Sequence, residues 1–321
     1  MPLFRIAAPI AALALLWLGA SGPARATEYP RIGVPMELKQ VSERVYYVQG
    51  AAGIATSNEG FISNAGFVVT GEGVVVFDSL GTPSLGAELL KLIRSVTDEP
   101  VVMVVVSHYH ADHIYGLQAL KEAGAKVIAP AGALEYYDSP YAQERLEERR
   151  VSLYPWVNEN SRLVPPDEML GKSREMQLGK VSLRLNFLGA AHSDGDLSML
   201  VLPDGVLFSG DIIFEGRLPF VGDADTQRWA EALESMQTKG LKALIPGHGP
   251  AASDPNQALA DTRDYILYLR EVMGAAVEEM AEFAGAYEAA DWSRYEGLPA
   301  FEETNRRNAY QVYLGMERES M

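Results

Sequence analysis

The sequence predicts an α/β (α+β) protein, on three observations. Strand-like and helix-like segments alternate from Arg44 to Pro130. The run "VVMVVV" at 101–106 holds five valines and reads as a strand buried on both faces, so further layers must cover it. From Lys180 the β pattern returns, and after Asp254 it gives way to a long amphipathic helix. Apolar residues at 48% and charged residues at 22% suit a folded soluble chain, and 321 residues suffice for one large core.

Taken in order, "RVYYVQG" (44–50), "FISNAGFVVT" (61–70) and "GVVVFDSL" (73–80) read as strands, the last two joined by the turn "GEG". "SLGAELLKLIRSV" (84–96) spaces its apolar residues as an amphipathic helix, and the valine strand follows. Asp112 stands where a helix can start, leading through "HIYGLQALKEAG" into the strand "AKVIAP" (125–130). Residues 131–175 break the rhythm and form an insertion and lid candidate. Within it "ALEYYDSPYAQERLEERR" reads as one charged helix and "LYPWVNENSRLVPPDEML" as a long loop with three prolines; Tyr154 and Trp156 are placed either to cover a cleft or to pack. "KVSLRLNFLG" and "LSMLVLPDGVLFSGD" resume the strands. "QRWAEALESMQTKG" reads as a helix closed by Gly240, and "ALIPGHG" as a buried strand. In the helical tail, 255–321, Leu259, Thr262, Ile266, Leu269, Met273, Ala276, Met280 and Phe283 line one helix face that packs on the body.

The N-terminus is expected to be a cleaved signal peptide over 1–26: one Arg, an apolar run from Ile6 to Ala20, then Ala24-Arg25-Ala26. The expectation is therefore a periplasmic protein of one domain, 27–321, without a stable membrane anchor. Cleavage would remove Arg5 and Arg25 and take the net charge from −16 to −18, which disfavours nucleic acid and anionic membranes as partners and leaves a small-molecule substrate. With no cysteine in the chain, there are no disulfides and no thiolate ligands, so any metal must be held by nitrogen and oxygen.

The five histidines are unevenly spent. His108, His110 and His113 crowd with Asp112 into six positions after the valine strand; His192 and His248 each follow another strand, and Asp211 ends the run "GVLFSGD". Strand ends are where side chains converge on a cleft outside a sheet, and neutral imidazole and carboxylate suit zinc, iron or manganese. In extended backbone His108 and His110 point to the same side, so one ion can take both, with His192 and Asp211. Asp112 and His113 lie beyond the bend and can face a second ion, with His248 and the other oxygen of a bridging Asp211.

"HYHADH" is similar to the HxHxDH motif of the metallo-β-lactamase superfamily, and "AAH", "SGD" and "PGHGP" follow in the same order. The resemblance implies a four-layer αββα sandwich with two divalent ions, most simply Zn2+, at one edge of the sheets. It places Asp78 where an aspartate steadies a metal-bound histidine from behind. Further stretches, "GDIIFEGRLPFVGDAD" and "NAYQVYLGMERE" among them, resemble the exported hydrolases encoded with bacterial thiosulfate-oxidation genes (SoxH-type) and with quinoprotein alcohol dehydrogenases. The implied chemistry is a metal-bridged hydroxide attacking a thioester- or ester-type carbonyl, with Asp112 the catalytic residue that orients the nucleophile and receives its proton. Tyr109, Tyr115 and Arg217 are candidates to line the pocket, Arg217 by meeting a substrate carboxylate; Asp194 and Asp196 are expected to hold the His192 turn. A β-lactamase, an iron-dependent persulfide dioxygenase linked to sulfur oxidation, and a metal-bound accessory protein stay open. The Cys or Ser that many lactamases carry in place of Asp211 is absent.

Overall fold

The computed structural model describes residues 28–320; the segment read as a signal peptide lies outside the described residues. A seven-stranded sheet comes first, its strands lying side by side in chain order. They are β1 Leu38–Gln40, β2 Val45–Val48, β3 Ala65–Val69, β4 Val74–Phe77, β5 Val101–Val105, β6 Lys126–Pro130 and β7 Glu168–Leu170. Pairing is antiparallel up to β4 and parallel from there on, because α1 Pro83–Val96, then α2 Ala111–Ile114 with α3 Leu117–Glu122, then α4 Ala133–Tyr137 with α5 Pro140–Ser152 make the crossovers. The second sheet holds β8 Arg174–Leu178, β9 Val181–Gly189, β10 Asp196–Val201, β11 Val206–Phe214 and β12 Ala243–His248, in the order β12-β11-β10-β9-β8. Its one parallel pair, β11 with β12, is bridged by α6 Thr226–Ser235. The chain finishes in α7 Pro255–Glu278, α8 Phe283–Ala289 and α9 Phe301–Ser320.

Strand alternation sorts the side chains into layers. Val75, Phe77 and Val105 turn inward to meet Leu183, Leu197, Met199 and Phe208 of the other sheet, and the Phe77 and Phe208 rings stack at 5.3 Å. Val74, Val76 and Val104 turn outward under α1 and α3, while Leu207, Leu244 and Ile213 carry α6, α7 and α9. The result is an αββα sandwich with a C-terminal helical region, as the resemblance implied. Each such core side chain contributes roughly 1.5–3 kcal/mol by leaving water.

Several local expectations are corrected. The charged helix over 133–150 is two helices, because Pro140 lacks an N–H and Ser139 caps a new start by accepting from the N–H of Ala142 at 3.2 Å. The proline-rich loop ends in the edge strand β7, whose three residues give too short a pattern to read. Helix α6 stops at Ser235, where Met236 turns extended, five residues before Gly240. Asp112 lies inside the first turn of α2, which His110 precedes as N-cap. The apolar stripe of α7 holds through Ala276; Met280 takes a positive φ of 56°, is 90% exposed, and turns the chain toward α8.

Candidate metal centre

The parallel strands deliver their C-terminal ends to one edge of the sandwich, where both sheets contribute ligand-type side chains. His108, His110, Asp112 and His113 follow β5 through the short α2; His192 sits in the β9–β10 turn, Asp211 within β11 and His248 at the end of β12. The seven residues resolve into two groups. His108, His110, His192 and Asp211 form one and Asp112, His113 and His248 the other, with the ligand atoms of each group within 4.8 Å of one another. In the first, His110 Nδ1 lies 2.9 Å from His108 Nε2 and 3.1 Å from His192 Nε2. In the second, Asp112 Oδ2 lies 3.3 Å from His248 Nε2 and 3.6 Å from His113 Nε2. Asp211 faces both: Oδ1 is 3.2 Å from His113 Nε2, and Oδ2 is 3.4 Å from His192 Nε2 and 3.3 Å from His248 Nε2.

Partners behind the imidazoles set which nitrogen is free. Asp78, buried and held at φ 61°, accepts from His113 Nδ1 at 2.9 Å and from the backbone N–H and hydroxyl of Ser107 at 2.7 and 2.8 Å. With its proton given to Asp78, the Ser107 hydroxyl accepts from His108 Nδ1 at 2.8 Å. His248 Nδ1 donates to the carbonyl of Ile62 at 2.7 Å. Each of these three rings therefore turns an Nε2 lone pair toward the centre. Asp211 is brought close by Gly247, where any Cβ would overlap its carboxylate. His192 is fixed by the turn that follows it: buried Asp196 accepts from the Ser193 N–H at 2.9 Å and hydroxyl at 3.1 Å. Burial pushes the Asp196 carboxyl up to about 7, against those hydrogen bonds.

The donor set fits divalent cations. Three imidazole nitrogens converging within about hydrogen-bond distance repel one another unless a positive charge sits among them. His113 Nε2 and Asp211 Oδ1 are buried side by side yet make no hydrogen bond of acceptable geometry. The protonation tendencies agree. Burial lowers His108, His110 and His192, the last to about 3, and so keeps their lone pairs available. Burial also opposes charge on His113 and His248, but Asp211 and Asp112 outweigh it and raise both. Asp211 itself is held well below the carboxylate range by His248 and His113, despite burial. The second group thus sits in a field that favours positive charge.

A cavity of about 530 Å³ opens above this floor. Tyr109 lines it, its hydroxyl donating to the carbonyl of Val164 at 3.0 Å. Tyr115 does not: it is buried in the helix-side core, away from the cavity lining. Arg217 lines the cavity from a buried position rather than pairing on the surface. Tyr154 is exposed and Trp156 donates to the carbonyl of Arg31 at 3.0 Å; neither lines the cavity, and the 131–175 segment reaches it instead through Tyr136, Tyr141, Arg145 and Arg149. Glu303, Thr304 and Arg307 of α9 line it as well. The 131–175 segment was expected to reach the cleft, but its lining residues, and those of α9, were not singled out in the sequence.

Comparison with known proteins follows the same outline. A metallo-β-lactamase type 2 of Bacillus sp. (strain 170) is 24% identical over 199 residues, covering 60% of this chain and 69% of that one. An acyl-coenzyme A thioesterase, MBLAC2 of Gallus gallus, is 29% identical over 157 residues, 46% of this chain and 56% of that one. Among solved structures the sec-alkylsulfatase Pisa1 from Pseudomonas sp. superposes with a TM-score of 0.67 at 19% identity, over 87% of this chain and 50% of that chain, a likeness of fold. The family model of the metallo-β-lactamase superfamily matches residues 58–248. That span begins before Asp78 and ends on His248, so it takes in both sheets' contributions to the floor, and this chain belongs to the metallo-β-lactamase superfamily, whose relatives named here are hydrolases.

Proposed function

We propose that this protein is a dinuclear metal-dependent hydrolase of a small thioester or ester, exported to the periplasm by residues 1–26 and akin to the SoxH-type enzymes. The observation that carries the reading is Asp211, whose two oxygens face the two ligand groups at 3.2 to 3.4 Å and so suit a bridging ligand. His108, His110 and His192 would hold one ion, and Asp112, His113 and His248 the other; zinc is the first choice, iron or manganese the alternatives. Bound there, two such ions supply a water of lowered pKa and a Lewis acid for the carbonyl oxygen. The protein's own share is positioning and proton handling. Asp112 is the floor carboxylate open to the cavity, its side chain 23% exposed against 4% for Asp211. Burial would raise its pKa, but His113 and His248 hold it low, so it stays an anion able to orient the nucleophile and take its proton. The thioesterase relative supports a thioester carbonyl as the target.

The test is metal analysis of the purified chain together with a substrate panel. The expected result is two zinc per chain and turnover of thioesters or esters at least about tenfold above nitrocefin. One iron with oxygen uptake on a persulfide, or nitrocefin turnover as fast as that of any ester, overturns the reading.

A further inference from the structure

Three imidazoles of the floor are steadied by an oxygen behind them, and a fourth is not. His108, His113 and His248 donate from Nδ1 to Ser107, Asp78 and Ile62. His192 turns its Nε2 toward His110 Nδ1 at 3.1 Å and Asp211 at 3.4 Å. A neutral ring that offers Nε2 as its lone pair carries its proton on Nδ1. That nitrogen is buried and finds no hydrogen-bonding oxygen or nitrogen among the described residues. A buried N–H with no acceptor is rare in a folded protein, so the surroundings of this one bear on its role.

Those surroundings are aromatic. The Trp229 ring lies 5.0 Å from the His192 ring at an interplanar angle of 76°, and Phe214 follows at 6.1 Å. An edge-to-face pair sets the electropositive edge of one ring on the electron-rich face of the other. The polar edge of the indole is already engaged, because Trp229 Nε1 donates to the carbonyl of Ile212 at 2.9 Å. The imidazole is the ring with an N–H still to place, and the indole face is the strongest π acceptor among side chains. Trp229 is fully buried in the first turn of α6, on the face shared with Thr226, Ala230 and Leu233. Asp225 caps that turn by accepting from the Arg228 N–H at 3.0 Å. One side chain thus meets two members of the first ligand group, His192 through its ring and Asp211 through the next carbonyl of β11.

We infer that Trp229 is a positioning residue for the first ion, its indole face accepting the His192 Nδ1–H in the role that Asp78 fills for His113. With a cation at Nε2 the Nδ1–H becomes more positive, so the contact strengthens as the site is loaded. The ring is fixed in this way without a further carboxylate behind it. The inference rests on the metal-centre reading proposed above.

The test uses the full chain with isotope-labelled histidine, loaded with zinc, as wild type, Trp229→Phe and Trp229→Leu. A proton held over an aromatic face is shielded, whereas one donated to an oxygen is deshielded. The nuclear magnetic resonance of the His192 Nδ1–H is therefore expected upfield of those of His113 and His248, and should lose that position in Trp229→Leu. Titration of zinc against a chelator should show one of the two binding steps weakened about 10- to 100-fold in Trp229→Leu and less in Trp229→Phe, with the other step far less affected. A His192 Nδ1–H that resonates among the hydrogen-bonded imidazole protons overturns the inference, as does a Trp229→Leu chain that holds both ions like the wild type. If Trp229→Leu fails to fold, the wild-type resonance and the Trp229→Phe titration decide. A wild-type chain that binds no zinc sinks the metal reading and this inference with it; two bound ions beside an unshielded His192 proton sink the inference alone.

Discussion

The floor and the walls of the cavity are built on different principles. On the floor, the ligand-type side chains leave strands or the short turns and helix beside them, and four are steadied from behind: His113 by Asp78, His108 by Ser107, His248 by the Ile62 carbonyl, Asp211 by the close approach of Gly247. The walls come from α4, α5, α9 and the 215–223 loop, with half-exposed side chains such as Arg145 and Tyr141, the latter 49% exposed. Chemistry needs positions held to a fraction of an ångström, which packed strands supply; selectivity needs only a surface of suitable shape and charge, which peripheral helices can vary without unsettling the core. Arg217 lies at the seam, buried like the floor but carried by a loop of the wall.

Substitutions can break this division, beginning with the floor. Asp211→Asn removes the carboxylate charge from both groups, so catalysed hydrolysis should fall about a thousandfold or more, with bound metal dropping together with it. Metal analysis beside kcat/KM checks this, and full activity without metal would contradict the scheme. Asp78→Ala acts one layer behind. It leaves the Ser107 N–H and His113 Nδ1 without their acceptor and should weaken metal binding about 10- to 100-fold, read by zinc titration against a chelator, with a smaller loss of kcat. Asn308→Ala tests the seam. It strips three hydrogen bonds that tie α9 to the 217–222 loop and to Tyr265, and should cost roughly 1–3 kcal/mol in thermal unfolding while raising KM more than it lowers kcat. An Asn308→Ala protein that lost metal as Asp78→Ala does would erase the distinction between floor and wall.

How much of this could be read beforehand follows the same line. Spacing within "HYHADH" and the placing of His192, Asp211 and His248 after strands were enough to sort the ligands into two groups, because backbone geometry over a few residues dictates where such side chains point. Asp78 was legible through the family resemblance. The misreadings fall where distant parts decide. Tyr115 looked like a pocket residue from its neighbours, yet the turn after α2 sends it into the helix-side core, beside Tyr136 of α4. Met280 continued an apolar period that the chain abandons by a left-handed residue.

By itself, then, the amino-acid order determined the layered fold class and the nitrogen-and-oxygen character of the candidate centre, and it singled out the ligand-type residues that the fold brings into two groups. Those properties reside in strand alternation and in local spacing, where neighbours in sequence are neighbours in space. Only the tertiary structure decided that Asp211 lies between the two groups, that Arg217 is buried beside His248, and that α9 lines the cavity. Each of those depends on segments from tens to nearly two hundred residues apart being pressed together, and no local pattern carries the outcome of that packing.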